Sequence, residues 1–165
     1  ECNSNGSDVS AYNSWLASFA GATVTDNCFS SGSITLDAFG NTGVSSTCSI
    51  TDTVTFTGTD PCGNVGSAVG SYTISDTLSP QITQNAQPST VPCNSNSATA
   101  FSNFVANNAG ATAVDQCTVV TVTNDSGVAP TGCDSSVTVT FFFSDECGNN
   151  PATTSAVFRV VDNPG

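Results

Sequence analysis

One sequence motif occurs twice in this chain, and the repeat limits what the chain can fold into. A hydrophobic run leads into an Asp-x-Cys-Gly-Asn turn at residues 53–64 (TVTFTGTDPCGN) and again at residues 137–149 (VTVTFFFSDECGN). A repeat at this separation is typical of tandem structural units. The 165-residue sequence is therefore predicted to form two units, residues 1–78 and residues 79–165.

Cysteine usage indicates how units of this size are held together. Domains of about 80 residues bury only about 60 to 65% of their unfolded surface, so their hydrophobic cores are marginal. The sequence carries eight cysteines, four in each predicted unit. Paired cysteines commonly support small domains in oxidising compartments. We therefore expect disulfides and an extracellular or cell-surface location.

The charge balance excludes several classes of partner. Thirteen acidic residues, no lysine and a single arginine, Arg159, give a net charge of -12. Nucleic acids and anionic membrane surfaces are bound through cationic contacts, so neither is expected as a partner.

No apolar run approaches the roughly 20 residues that a membrane span needs. The start at Glu1 has no leader-like pattern, and we interpret it as a mature end or the edge of an excised piece.

A short amphipathic helix is predicted near the start of each unit. Each unit opens with the tetrapeptide Cys-Asn-Ser-Asn, at residues 2–5 and 93–96. Apolar side chains then follow at the spacing of one helix face and end at an Ala-Gly pair. They are Tyr12, Trp15, Leu16 and Phe19 in the first unit, and Phe101, Phe104 and Val105 in the second. We interpret Trp15 and Phe104 as plugs over one end of a β-sandwich rather than as ligand-stacking surfaces.

The remainder of each unit is predicted to be β-structure. In the duplicated motif, apolar and threonine side chains alternate, which is typical of a half-buried antiparallel strand. Further Thr/Val-rich runs also have the composition of strands. They lie at residues 20–28, 33–36 and 71–74, and at residues 109–117, 118–123 and 156–161. Short strands and abundant turn residues predict an all-β fold with two tandem immunoglobulin-like β-sandwich repeats, each with a short helix insertion and two disulfides.

One predicted strand occurs only in the second unit. Residues 80–92 (PQITQNAQPSTVP) are predicted to be an extended strand that leads into Cys93, and nothing comparable precedes Cys2. Two explanations are open. Either the sequence is a window of a longer array, or the first unit accepts a strand from a neighbouring subunit, as in donor-strand complementation. A bare sheet edge would otherwise invite aggregation.

Strand order in such a sandwich predicts the cysteine pairs. The opening strand ends at the pole where the central strand begins, which brings the first and third cysteines of a unit together. The second cysteine then meets the Asp-x-Cys turn at the other pole. The predicted pairs are Cys2–Cys48, Cys28–Cys62, Cys93–Cys133 and Cys117–Cys147, although four cysteines allow three pairings in each unit. A cysteine metal site is disfavoured, because the sequence has no histidine and no close Cys-x-x-Cys pair.

Taken together, these motifs resemble a known family. The order of Cys, helix, Gly-Ala-Thr, Thr-Asp-Asn-Cys and a Thr-Val-Thr-Phe strand with its Asp-x-Cys-Gly-Asn turn is similar to the tandem immunoglobulin-like (HYR-like) repeats of bacterial surface adhesins, especially those of Bacteroidota. The resemblance covers essentially the whole chain. It implies secretion, a repetitive stalk or filament, and a role in adhesion.

Acidic side chains indicate a calcium site at the junction of the predicted units. On the assumed topology several carboxylates meet at one pole of a unit, and Ca²⁺ prefers such oxygen-rich clusters. The candidate ligands are Asp76, Asp115 and Asp145 at one junction, and Asp26, Asp60 and Asp162 for the equivalent one. The resemblance supports calcium, since related bacterial stalks are stiffened by such ions. Alternatively, these side chains cap tight turns through local hydrogen bonds.

Two kinds of modification motif are present. Asn5 and Asn124 begin N-glycosylation acceptor patterns, although a chain rich in Asn, Ser and Thr produces such matches by chance. Thr53 and Thr77 stand in Asp-Thr-aliphatic triplets that resemble the O-glycosylation acceptor of Bacteroidota. Outward-facing threonines also have a simpler explanation, their preference for a wet strand face. Glycans are therefore an expected partner.

The residues form no recognisable catalytic constellation. General acid–base chemistry usually recruits histidine or tuned carboxylates, and the sequence has no histidine. We expect no enzyme, but a structural subunit of an extracellular fibril or adhesin stalk that assembles end to end with copies of itself. Phe142, which stands where the first unit has Thr57, is a candidate intersubunit contact or a local core irregularity. The alternative function is a carbohydrate- or receptor-binding adhesin module.

Overall fold

The chain consists mostly of β-strands arranged in sheets. The computed structural model describes residues 7–28, 35–39, 48–93 and 96–162. These residues contain nine strands and two short α-helices. The prediction of an all-β protein is confirmed at this level.

Two compact units make up the chain, Glu1–Asp76 and Thr77–Gly165. The division falls two residues before the boundary predicted from the repeat. A hydrogen bond gives a local reason for the difference, because Asn149 Nδ2 donates to the Leu78 carbonyl over 2.9 Å. Leu78 is therefore held by the second unit.

The first unit has a helix and a three-stranded antiparallel sheet in its described part. Its elements are α1 (Ser7–Ala17), β1 (Thr35–Phe39), β2 (Ser49–Thr59) and β3 (Val65–Ser75). The sheet order is β1-β2-β3. In β2, Val54 and Phe56 are buried and Thr53 is exposed, so the predicted alternation holds. The turn from β2 to β3 contains Gly63 at φ 86°, a left-handed conformation that favours glycine.

The second unit contains a four-stranded sheet, a two-stranded sheet and a helix. Its elements are β4 (Gln81–Gln84), β5 (Ser89–Pro92), α2 (Ser97–Ala106), β6 (Thr112–Val114), β7 (Thr121–Asn124), β8 (Ser135–Ser144) and β9 (Ala152–Val161). The larger sheet has the order β5-β9-β8-β7, and β4 pairs with β6. β5 runs parallel to β9, whereas the other pairs are antiparallel.

The core of the second unit lies on one face of the larger sheet. Phe141 and Phe158 are 0% exposed, and they project from β8 and β9. Phe101 and Phe104 of α2 pack against the same cluster, and partly buried Ile82 extends it to β4. The apolar face predicted by the period-two alternation is therefore the face that α2 covers.

Both helices end in the same backbone turn. A 3₁₀ turn follows each helix, at Phe19–Gly21 and at Asn108–Gly110. Ala20 and Ala109 adopt left-handed φ angles of 54° and 51°. The chain then becomes extended. The α-helices themselves end at Ala17 and Ala106, three residues before the alanines of the predicted Ala-Gly ends, and the 3₁₀ turns reach the glycines.

Two strand predictions are wrong in detail. Residues 80–92 form two strands, β4 and β5, and not one, since each half pairs with a different sheet. Residues 22–26 of the first unit form no strand, although their counterpart in the second unit includes β6. β6 pairs with β4, and the first unit contains no equivalent of β4 among its described residues.

Candidate functional site

The two Asp-x-Cys-Gly-Asn turns are built by one aspartate each. Asp60 Oδ1 accepts hydrogen bonds from the Cys62 and Asn64 N–H groups, and its Oδ2 accepts one from Asn64 Nδ2 (2.7 Å). Asp145 makes the same set of bonds, with Asn149 Nδ2 at 2.9 Å. Each carboxylate therefore caps its own turn.

These hydrogen bonds set the acidity of both carboxyl groups. The Asn64 side chain and backbone lower the pKa of Asp60 below its ordinary value. Burial alone would raise the pKa of Asp145, but hydrogen bonds from Asn149 and the turn N–H groups outweigh it and lower that pKa. Both groups are carboxylates at neutral pH, which is the form that accepts these bonds.

The other predicted calcium ligands also lie at chain turns or strand ends. Asp26 Oδ1 accepts from the Cys28 N–H (2.7 Å), and Asp115 Oδ1 accepts from the Cys117 N–H (2.8 Å). Asp76 is buried and follows β3, whereas Asp162 is exposed and follows β9. The capping interpretation accounts for four of the six aspartates. Calcium binding stays a prediction.

One predicted disulfide is present with its partners defined. Cys93 and Cys133 are bonded across a Cα–Cα distance of 5.2 Å, as the strand order predicts. Cys117 and Cys147 are each disulfide-bonded, and their pairing with one another stays a prediction. Cys48 is also disulfide-bonded, and its predicted partner Cys2 lies outside the described residues.

The predicted Cys28–Cys62 bridge is wrong for this structure. Both residues are exposed free thiols. In the second unit, pairing between β4 and β6 fixes the path of the chain toward Cys117. Residues 22–26 have no strand partner among the described residues, so the described part of the chain does not hold Cys28 against the turn of Cys62.

The predicted modification and interface residues that the structure describes are exposed or half-buried. Thr53, Thr77 and Asn124 are exposed, and Asn5 lies outside the described residues. Asn124 Oδ1 accepts a hydrogen bond from the Ser126 N–H (3.1 Å), which makes a local turn. Phe142 is half-buried between Phe141 and Phe143, and it points away from the core that contains them. Glycosylation and an interface role remain predictions.

A buried pair of polar side chains in the first unit was not predicted from the sequence. The Tyr12 hydroxyl donates a hydrogen bond to Asp52 Oδ2, and both residues are buried. Burial, together with the bond to Asp52, raises the pKa of Tyr12 to about 12. The signal was available, because Asp52 has the same strand parity as Val54 and therefore faces the core.

The first unit also carries an open groove. Its volume is about 260 Å³, and it lies between residues 22–25 and the hairpin of β2 and β3. Small residues form much of its wall, including Ala22, Gly58, Gly66 and Ala68. Val65 and Val69 of β3 are 64% and 68% exposed. These two valines alternate with Gly66 and Ala68 along β3, so they lie on the opposite face of the sheet from the groove.

Within the described ranges, neither helix has the length and apolar character required to cross a membrane. No protein-family model matches the sequence, and a search of curated proteins also found no match.

Proposed function

We propose that this chain is a structural repeat unit of a secreted extracellular fibril or cell-surface adhesin stalk. It would consist of two tandem immunoglobulin-like β-sandwiches that assemble end to end, as the resemblance to HYR-like repeats implies. The observation that carries the proposal is a single aromatic arrangement that occurs in both units. A protein made of disulfide-bonded repeats becomes longer with each repeat, and length is the property that a stalk requires.

In the first unit, two helix aromatics pack on two strand aromatics. The Trp15 ring lies 5.6 Å from Phe56 at 72°, and 5.3 Å from Tyr72. The Tyr12 ring lies 5.4 Å from Tyr72 at 69°. Edge-to-face contacts of this kind add to the stabilisation that burial gives. The cluster fixes α1 on the hairpin of β2 and β3.

In the second unit, the equivalent positions make equivalent contacts. The Phe104 ring lies 6.2 Å from Phe141 at 61°, and 5.3 Å from Phe158. The Phe101 ring lies 5.3 Å from Phe158 at 69°. The same four positions thus join helix to hairpin twice, although three of the four residue types differ. This supports common ancestry of the units and a shared mechanical role.

Surface chemistry supports an extracellular setting. The chain has a net charge of -12, which favours solubility and disfavours non-specific association. Rows of threonine cover the outer strand faces, as where the Thr51 and Thr73 hydroxyls lie 2.8 Å apart. Exposed hydroxyls of this kind are available to the proposed glycans. A disulfide such as Cys93–Cys133 contributes about 2 to 4 kcal/mol to the stability of a small unit.

Negative-stain electron microscopy of the native material tests the proposal. We expect filaments or extended beaded stalks, because folded units joined end to end give a repeating axial density. Compact monomeric particles would contradict the proposal. They would favour a carbohydrate- or receptor-binding module instead.

Phe142 offers a matched variant for the same experiment. Phe142→Thr installs the residue that the first unit has at Thr57, and it leaves the core on the other face of β8 unchanged. If Phe142 is an intersubunit contact, this variant shortens the filaments without a change in unfolding midpoint. Thr123→Ser, at the cross-strand neighbour of Phe142, is the control and leaves filament length unchanged.

A further inference from the structure

Residues 80–92 complete the second unit on two sides. The first half forms β4, which pairs antiparallel with β6, and the second half forms β5, which pairs in parallel with β9. Between them Ala86 is buried, and its N–H donates to Thr154 Oγ1 over 3.1 Å. One extended segment therefore fills a groove and also covers a sheet edge.

Among its described residues, the first unit presents the same two surfaces and no equivalent of this segment. β3 has the position that β9 has in the second unit, because Phe56 pairs with Ala68 where Phe141 pairs with Thr154. Within the described part of the first unit, β2 is the one strand that pairs with β3. The other edge of β3 corresponds to the edge of β9 that binds β5.

The groove of about 260 Å³ corresponds to the site of β4 and Ala86. It lies between residues 22–25, which are equivalent to the β6 region, and the hairpin of β2 and β3. Gly58 and Gly66 line it, and they form a cross-strand pair where the second unit has Phe143 and Ala152. Two glycines leave more room in this groove than Phe143 and Ala152 leave in the second unit. The occupant of the groove should therefore carry a larger apolar side chain than Ala86.

We infer that the first unit is a strand acceptor, whose groove and open β3 edge bind an extended, uncharged segment from another repeat of this kind. By equivalence with the second unit, the segment runs antiparallel to residues 23–25 and then parallel to residues 72–75. Main-chain hydrogen bonds supply the affinity, and alternate side chains entering the groove supply the specificity. The inference rests on the proposed function, since this step would join units end to end.

The negative charge of the first unit also indicates which kind of segment its groove binds. The sequence of the first unit, residues 1–76, contains seven acidic residues and no lysine or arginine. Residues 80–92 contain no charged side chain, so a segment of this type meets no like-charge repulsion. An acidic strand would be repelled. The chemistry therefore favours a neutral segment rich in Gln, Thr and small apolar residues.

The test adds a synthetic peptide of residues 80–92 to the full chain. Amide hydrogen exchange reports on each strand, and fluorescence of Trp15, the only tryptophan, reports on the first unit. At a peptide concentration ten times the Kd, exchange at residues 72–75 is expected to slow about tenfold. The second unit is expected to remain unchanged, because its own segment is in place. A peptide with Ala86→Leu is expected to bind more tightly than the parent peptide.

Matched variants isolate the proposed contacts. A peptide with Ile82→Asp places a charge in the groove and is expected not to bind. Ala68→Thr in the full chain installs the hydroxyl that accepts the Ala86 N–H in the second unit. Because Ala68 is exposed, this change leaves the core intact, and it is expected to tighten binding about fivefold.

Several results would overturn the inference. One is unchanged exchange at residues 72–75 with both the parent and the Ala86→Leu peptides, for wild type and for Ala68→Thr. Another is strong protection of these amides before peptide is added, since the edge would then be closed by the chain itself. Filaments without peptide binding would leave the fibril proposal standing and remove the acceptor. Peptide binding with compact native monomers would do the reverse.

Discussion

Both units pack a helix on an equivalent strand hairpin, but around interiors of different chemistry. In the second unit, Phe101 of α2 lies in an apolar cluster that partly buried Val137 extends. In the first unit, the equivalent positions hold Tyr12 and Asp52, which are buried and hydrogen-bonded to each other. A polar pair can replace an apolar pair in this fold when both partners change together, because each then satisfies the other.

A second difference concerns volume. Trp15 of the first unit faces Gly70, where the second unit has the smaller Phe104 and the larger Ala156. A Cβ atom at Gly70 would lie 3.1 Å from Trp15 Cζ2, so a larger residue there would clash. The smaller residue on β3, Gly70, is thus compensated by the larger residue on α1, Trp15. Compensation of this kind keeps the interior close-packed while individual residues change.

The largest expected effect tests whether the second unit has the stronger core. Phe158 is 0% exposed and contacts both aromatic rings of α2. Phe158→Ala is expected to lower the free energy of unfolding of the second unit by about 3 to 5 kcal/mol, as truncation leaves a cavity. Hydrogen exchange of β9 amides measures the loss. Tyr72→Ala is the matched variant, and its effect on β3 is expected to be smaller because Tyr72 is half-buried. An equal or larger effect of Tyr72→Ala would contradict this comparison.

The next effect tests the polar pair. Asp52→Val installs the residue of the second unit and removes the acceptor of the Tyr12 hydroxyl, which is expected to cost about 1 to 3 kcal/mol. The double variant Asp52→Val with Tyr12→Phe is expected to regain most of this loss. Urea unfolding followed by Trp15 fluorescence measures both variants. If the double variant were less stable than Asp52→Val alone, the two residues would not act as a pair.

Local patterns in the sequence predicted much of the fold. Period-two alternation identified β2 and β8 with their buried faces, and the Asp-x-Cys-Gly-Asn motif identified the turns that follow them. The inward position of Asp52 was missed because a charged side chain is rarely buried without a partner. Its partner, Tyr12, lies 40 residues away in sequence, so spacing alone could not identify the pair.

Long-range strand pairing could not be predicted in the same way. Residues 22–26 resemble their counterparts around β6 in composition, yet only β6 forms a strand. The difference comes from a partner segment, β4, and not from local propensity. The wrong Cys28–Cys62 prediction has the same origin. The Cys93–Cys133 prediction was right because residues 80–92, the segment that leads into Cys93, belong to the second unit itself.

The smallest expected effect compares the two capped turns at acid pH. The pKa of Asp145 is lowered in the folded chain, so its stabilising contribution is complete above the ordinary pKa of about 3.9 and is lost as pH falls through the lower folded value. Asn149 donates to both Asp145 and the Leu78 carbonyl, whereas Asn64 donates to Asp60. Asn149→Ala is therefore expected to raise the Asp145 pKa and to cost about 1 kcal/mol at neutral pH.

Asn64→Ala is the matched variant in the other turn. It is expected to raise the pKa of Asp60, since the Asn64 side chain is the main cause of the lowered value. Carboxyl NMR titration measures both shifts, and urea unfolding at pH 7 measures the two losses. Because Asn149 also holds Leu78, its replacement should destabilise the chain more than the replacement of Asn64. Equal losses would show that the bond to Leu78 adds nothing and that the two turns are energetically alike.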